Sequence, residues 1–477
     1  MAEDLRSGEE AEGWRQWLNK VPDFEEVTEQ MQLMWDSATG EDGVRLTFLW
    51  NGGRAVLDEV VRLVQFMFQN DSNSWEESLR TGIVIPLYKM KGDKDDPGNY
   101  CGVCLLSMGS RIIARICANR LMKWAEGRNV LDDDQQGFRR GRATADATQM
   151  MMRLQEDMED LKRRTAGSVL EDKEVVAARL LDLRKAYPRV KRPALWRLLQ
   201  RYGVDGNFLK TLQGLHEATA YRVQGKERFS EEWLPKRGLR EGCPSSPPLF
   251  NIYHQVMRVA KKEREKKALG AGTTAGVIYQ WVPGSSFPSW QGWEDDNSDA
   301  IEVVLEKSLF ADDTTVFGYM NELDDGVKTT KEVMGWFEER NNDGKEEKLV
   351  FGEEGSRKVR TLGCWMGWSE DVSQRAWWIT KQRLKGTKIM KRLQAKIVEA
   401  SVESSVLFDA QVRTWRAKEL KRMQGFVDKA YRYIWSNKKG PPLRQMQKEG
   451  VNMVDVHCTA QVSGREIFAM ESGEACL

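Results

Sequence analysis

Ser308-Leu309-Phe310-Ala311-Asp312-Asp313-Thr314-Thr315-Val316-Phe317 is an apolar lead-in, a pair of adjacent carboxylates and a β-prone lead-out. The pattern predicts strand, tight turn, strand, with the acids at the turn. Taken alone, an Asp-Asp turn also reads as an ordinary solvated loop. A second acid shifts the balance, because Asp182 closes another apolar run, Val175-Val176-Ala177-Ala178-Arg179-Leu180-Leu181. If the two strands are neighbours in one sheet, Asp182, Asp312 and Asp313 meet at one edge. Such hard oxygen donors suit Mg²⁺, which binds through few carboxylates plus substrate phosphates. Two such ions about 3.5–4 Å apart form the clamp used for in-line displacement at phosphorus.

Outside this stretch the bulk properties exclude more than they assert. The chain has 477 residues, 40% of them hydrophobic, enough for more than one compact unit. With 73 basic and 72 acidic residues the net charge is +1, so any nucleic-acid signal must be local. The cysteines (Cys101, Cys104, Cys117, Cys243, Cys364, Cys458, Cys476) are odd in number and scattered, which suits a reducing compartment. Cys101-Gly102-Val103-Cys104 has the spacing of half a zinc site, but no second Cys or His pair follows, and ordinary thiols are the better reading. No signal peptide opens the chain and no apolar run is long enough to span a membrane.

Further boxes accompany the acid pair in chain order: Ala38-Thr39-Gly40-Glu41-Asp42-Gly43, Ile85-Pro86-Leu87-Tyr88-Lys89-Met90-Lys91-Gly92-Asp93, Asn99-Tyr100, Leu105-Leu106-Ser107 and Asp134-Gln135-Gln136-Gly137-Phe138-Arg139. Leu181-Asp182-Leu183-Arg184-Lys185-Ala186-Tyr187, Gly238-Leu239-Arg240-Glu241-Gly242-Cys243-Pro244-Ser245-Ser246-Pro247, Asn342-Asp343-Gly344-Lys345 and Leu362-Gly363 complete the series. In wording, order and spacing, from about residue 38 to about 365, the chain resembles the reverse transcriptases of non-LTR (LINE-type) retrotransposons. The resemblance implies an α+β right-hand polymerase: a leader over 1–37 of no assigned role, fingers over 38–175, a palm with an antiparallel sheet over 176–365, and a basic helical thumb and tail over 366–477. It implies RNA-directed DNA synthesis, in which a primer 3′ oxygen attacks the α-phosphate of a dNTP.

The same resemblance distributes roles. Asp182, Asp312 and Asp313 become the catalytic metal ligands for two Mg²⁺, with Mn²⁺ as substitute. Lys89, Lys91, Tyr187, Glu241, Gly242 and Lys345 surround the nucleotide: the lysines on phosphates, the Tyr187 ring under the sugar, Gly242 letting backbone approach closely, Lys345 serving departing pyrophosphate. Arg139, Arg140 and Arg142 contact template or primer backbone. Lys385, Lys388 and Arg392 track the duplex from the thumb. From the residues alone, each lysine equally reads as solvated, Tyr187 as a core residue and the three arginines as a turn. Three positions depart from the family wording: Cys101 where an Arg follows Asn-Tyr, Pro188 where an Asp is usual, and Glu241 in place of Gln. They keep a second reading open, a polymerase-shaped nucleic-acid-binding protein whose catalysis has decayed. The expected partners are an RNA template, a DNA primer and dNTP, with no membrane, an endonuclease supplied elsewhere and no stated oligomeric state. The expected setting is intracellular, nuclear with a cytoplasmic ribonucleoprotein phase.

Local patterns predict elements as well. One or two helices are expected within residues 1–35, and others over 54–69, 109–127, 144–164, 193–202, 249–267 and 328–341. A hairpin is expected at Val277–Trp281, and Ile301–Leu305 is expected to enter the central strand.

Overall fold

The structure, a computed structural model, describes residues 8–89, 92–142, 144–164, 175–225, 228–269, 276–281, 289–290, 301–305, 307–310, 313–353, 360–361 and 364–365. In chain order it runs through helices Glu9–Asn19 (α1), Phe24–Gln32 (α2), Leu46–Asn51 (α3), Gly53–Gln69 (α4) and Glu77–Arg80 (α5). Strands Thr81–Tyr88 (β1) and Tyr100–Leu106 (β2) precede helices Met108–Gly127 (α6) and Thr144–Arg164 (α7). Strand Val176–Asp182 (β3) leads to helices Ala186–Arg189 (α8), Arg192–Arg201 (α9) and Gly206–Glu217 (α10), strand Ala220–Val223 (β4) and helix Ser246–Leu269 (α11). Then come strands Val277–Trp281 (β5), Ser289–Trp290 (β6), Ile301–Leu305 (β7), Lys307–Phe310 (β8) and Asp313–Tyr319 (β9), and helix Leu323–Trp336 (α12). Glu347–Val350 (β10), Arg360–Thr361 (β11) and Cys364–Trp365 (β12) close the described chain. The α+β class and the antiparallel sheet expected from the sequence are both present. The segment expected to form the thumb, with Lys385, Lys388 and Arg392, lies outside the described residues.

Two compact units interleave along the chain. The first is Met1–Arg140, Asp182–Thr273 and Lys328–Asp343; the second is Gly141–Leu181, Thr274–Val327 and Gly344–Leu477.

The first unit is built around α6, whose Ile112, Ile113, Ile116, Cys117, Leu121 and Trp124 are all buried. Alternate burial of such side chains contributes about 1.5–3 kcal/mol for each large one. The helix starts where it does because two acceptors meet its first N–H groups: Asp42 Oδ2 accepts from Met108 N at 2.6 Å and Ser107 Oγ from Ser110 N at 3.4 Å. The Ala38–Gly43 box serves that start. A Cβ on Gly40 would lie 2.3 Å from the Leu106 carbonyl carbon, so only glycine lets the box reach the helix. The leader, which carried no assigned role, contributes described residues to this core. Leu18, Val27 and Met31 are buried, and the buried Arg120 guanidinium of α6 holds Glu26 through two bonds (2.8 and 2.5 Å) and donates to the Leu18 and Lys20 carbonyls (2.8 and 2.6 Å). A small sheet in the order β2-β1-β4 completes the unit; β1 runs antiparallel to β2 and parallel to β4.

The second unit holds a four-stranded sheet in the order β10-β3-β9-β8. Met151, Leu154 and Met158 of α7 pack on Val176, Ala178, Phe317, Leu349 and Phe351. A separate sheet, β6-β5-β7, takes up Ile301–Leu305. That corrects the expectation for this segment. Its Val303, Val304 and Leu305 pair with Tyr279, Ile278 and Val277 of β5, and Lys307–Phe310 is the strand that leads to the acids. Val277–Trp281 is accordingly one strand of three. The helix expected at 328–341 begins earlier, at Leu323, where Asp324 and Asp325 suit a helix N-terminus. It ends at Trp336, before Glu338 turns left-handed at φ 60°.

Candidate active site

The acid stretch folds as its pattern dictates. Phe310 pairs with Asp313, so β8 and β9 form a hairpin over a two-residue connection, Ala311-Asp312, which lies outside the described residues. Asp313 is the first residue of β9 and is exposed, whereas Thr314 to Phe317 behind it are buried. Its neighbour β3 ends at Asp182. Met320 N–H at the far end of β9 donates to Val175 O at 2.9 Å, so the two strands run antiparallel. The sheet therefore brings the strand end carrying Asp182 and the strand start carrying Asp313 to the same edge.

Asp182 is half-buried and held by the turn before β10. Asn342 Nδ2 donates to Asp182 Oδ2 at 3.1 Å, and Asn342 N–H donates to the Asp182 carbonyl at 2.8 Å. The Asn-x-x-Lys wording at 342–345 therefore has a structural meaning that the sequence did not disclose: its asparagine orients an acid 160 residues away. Among the described residues no three His, Cys, Asp or Glu side chains gather to hold a metal. Asp182 and Asp313 are nevertheless hard oxygen donors of the kind that divalent cations of the Mg²⁺ class take, so this donor set fits one.

The other nominated residues fall into distinct settings. Lys89 is exposed at the end of β1, its Nζ 3.4 Å from the Gly98 carbonyl, and Lys91 lies outside the described residues. Lys345 is exposed in the short 3-10 turn Asp343–Lys345. The half-buried Tyr187 ring stacks on Phe250 of α11, centroids 4.9 Å apart and planes 22° from parallel. Glu241 and Cys101, two of the three departures, face each other: Cys101 Sγ lies 3.5 Å from Glu241 Oε2. Burial first, then the Glu241 charge and hydrogen bond, push the Cys101 thiol above its usual range. The Glu241 carbonyl also accepts from Cys104 N at 2.8 Å, fastening the loop to β2.

Two nominated residues have partners within the fold. Gly242 lies at φ 106°, and a Cβ there would come within 2.5 Å of the Cys104 carbonyl oxygen. The close approach that demands glycine is to β2 backbone, and a nucleotide need not be invoked. Arg139 makes a buried bidentate pair with Glu126 (2.7 and 2.6 Å) and donates to the Asp132 and Gln135 carbonyls. Its side chain is 6% exposed, so its guanidinium is committed to the loop and is not presented to a phosphate. Arg140 is exposed and Arg142 half-buried. Cys101 is exposed and Cys104 buried on the same strand, so this pair does not form half of a zinc site.

Residues that the sequence did not single out brace these loops. Asn251 Nδ2 donates to Gly137 O at 2.8 Å, and Arg258 pairs with Asp132 and with Asp134. Buried His216 meets Ser245 Oγ at 3.1 Å; burial, then Arg240 and Arg192, hold its imidazole well below the ordinary range and keep it neutral. No local pattern signals them, because each partner is tens of residues away.

The family described as reverse transcriptase (RNA-dependent DNA polymerase) matches residues 91–366, more than half of the sequence. The chain belongs to that family. Its acid hairpin and Gly238–Pro247 loop fall inside the matched span. It is 31% identical over 99 residues to a retrovirus-related Pol polyprotein from the type-2 retrotransposable element R2DM of Drosophila melanogaster, covering 20% of this chain and 9% of that protein. To the Pol polyprotein from the type-1 retrotransposable element R2 of Popillia japonica it is 28% identical, over 36% of this chain and 22% of the relative. These relatives bear out the retrotransposon branch read from the motifs. The chain spans less than a quarter of either relative. Among solved structures, a telomerase from Candida albicans in complex with a telomeric RNA fragment aligns over 86% of this chain and 63% of its own, at 10% identity and a TM-score of 0.40, a likeness too distant to carry a functional reading. Among the described residues no helix is long and apolar enough to cross a membrane.

Proposed function

We propose that this chain extends a DNA 3′ end on an RNA template, as the polymerase of a non-LTR retrotransposon. The observation that supports it most is the sheet edge where β3 ends in Asp182 and β9 begins with Asp313. Asp182 and Asp313, with Asp312 of the hairpin connection, would hold two Mg²⁺ ions. Such ions, when bound, neutralise charge that builds on the phosphoryl oxygens. Asn342 keeps the Asp182 carboxylate in one orientation, which lowers the reorganisation needed at each turnover. The primer 3′ oxygen forms its bond to the α-phosphorus as the bond to pyrophosphate breaks. Lys345 serves as proton donor to that leaving group. Lys89 and Lys91 neutralise phosphate charge, and Tyr187, fixed by Phe250, discriminates the sugar by shape. Arg140 and Arg142, with Lys385, Lys388 and Arg392, bind nucleic-acid backbone. A nuclear site of action with a cytoplasmic ribonucleoprotein phase belongs to the same reading.

The second reading, a binding protein with decayed catalysis, is favoured by one contact. Cys101 and Glu241 meet each other at the two positions where a guanidinium and an amide would face a triphosphate. Primer extension on poly(rA)/oligo(dT) with dTTP and Mg²⁺, beside Asp312→Asn, separates the two. Extension by wild type alone supports the polymerase. Retained template–primer binding with no extension by either protein supports the decayed form.

A further inference from the structure

Phe138 stands out against the loop that carries it. Its backbone is left-handed at φ 58°, a conformation unfavourable for an L side chain with a bulky ring. The residue is 50% exposed. Neither feature helps the loop to pack, since an asparagine would adopt the same backbone more readily and place no ring in water.

The surroundings nevertheless hold this residue rigidly. Buried Gln135 accepts the Gly137 N–H at 3.0 Å, and buried Asn251 donates to the Gly137 carbonyl at 2.8 Å. On the other side, Arg139 is fixed by its bidentate pair with Glu126 and by the Asp132 and Gln135 carbonyls. Arg258 of α11 ties down Asp132 and Asp134, the latter at 2.8 Å. A backbone outlier over-determined in this way is how strain is retained where it serves a function. Exposed Arg140 stands two residues on. An aromatic face ordered in advance, next to a cation, matches an unpaired base with its phosphate. A protein partner would call for a contiguous apolar patch, and the neighbours Asp133, Gln136 and Arg140 are polar.

We propose that Phe138 is a stacking platform for a base of single-stranded template. The proposal rests on the polymerase reading above. It is tested with the full chain by anisotropy of a labelled single-stranded oligo(rA) across a salt series. Phe138→Asn should weaken binding between about 5- and 150-fold, the range for losing one stacked base. The slope of log K against log salt should stay unchanged and the Tm should stay at or above that of wild type. Phe138→Trp should bind at least as tightly as wild type. Arg140→Ala should instead flatten the slope by about 0.7, as for one phosphate contact on a single strand. Wild-type affinity in Phe138→Asn overturns the proposal, as does weakened binding accompanied by a lowered Tm. Absence of RNA binding by wild type overturns the polymerase reading with it. Primer extension by wild type together with unchanged binding by Phe138→Asn removes the stacking role alone.

Discussion

The acid edge of the four-stranded sheet and the loop that runs from Gly238 into α11 were both nominated for chemistry, and they were built differently. At the sheet edge, carboxylates sit at strand ends, and an asparagine from a third segment steadies one of them. In the loop, the nominated residues satisfy one another. Cys101 and Glu241 are neighbours, the Glu241 carbonyl holds β2, and Gly242 presses against the Cys104 carbonyl. A strand end presents its side chain by the period of the sheet alone, so its role survives drift elsewhere. A loop side chain takes its role from whatever faces it, and a change at one position alters the meaning of the other.

The largest effect expected from this contrast is at Asp182. Asp182→Asn keeps an oxygen for Asn342 but removes the charge, and primer extension should fall at least about 1000-fold while the thermal unfolding profile stays close to wild type. A mutant with wild-type rates would make the two regions equivalent and remove the metal assignment. Glu339, three residues before Asn342, comes next. It is buried, and burial, opposed by Arg189 and Arg237, raises its carboxyl to about 7. Its folded value lies above its unfolded one, so its contribution to stability is complete below about pH 4.5 and is lost as pH rises through 7. Glu339→Gln should recover stability on the order of 2–3 kcal/mol at pH 8 and flatten the profile between pH 5 and 8, read by denaturant unfolding. An unchanged profile would mean that this carboxylate ionises freely in the fold.

Smaller effects belong to the loop. Cys101→Arg alone should form an ion pair with Glu241 and change the KM for dNTP little. Glu241→Gln together with Cys101→Arg should lower that KM roughly tenfold, more than the product of the single changes. Independent effects would show that the two positions do not work as a pair. The smallest effect is chemical: Glu241→Gln should speed iodoacetamide labelling of Cys101 at pH 8 by a few fold, because the neighbouring charge no longer opposes the thiolate. Unaltered labelling, followed by mass spectrometry of the Cys101 peptide, would leave burial as the sole cause of the raised thiol.

These differences also explain what was legible beforehand. The hairpin at 308–317, helix α6 and strand β3 follow from periodicity and apolar runs, which act over a few residues. The Arg139–Glu126 pair was not legible, because a Gly-punctuated basic run looks the same whether its guanidinium faces solvent or a glutamate on the preceding helix. The clamp of Asn342 on Asp182 and the meeting of Cys101 with Glu241 join residues 160 and 140 positions apart, and no local pattern carries them. The earlier start of helix α12 has a local cause: two acids at 324–325 suit a helix N-terminus.

Arg120 bears on how such an element can be cut and exchanged. Its guanidinium spends its donors on Glu26 and on the carbonyls of Leu18 and Lys20, all upstream of the first recognisable box. A version trimmed to begin at Ala38 would lose those acceptors together with the two helices that cover the guanidinium. The packed unit is therefore larger than the matched span 91–366, and the first two helices belong to it as much as the polymerase boxes do.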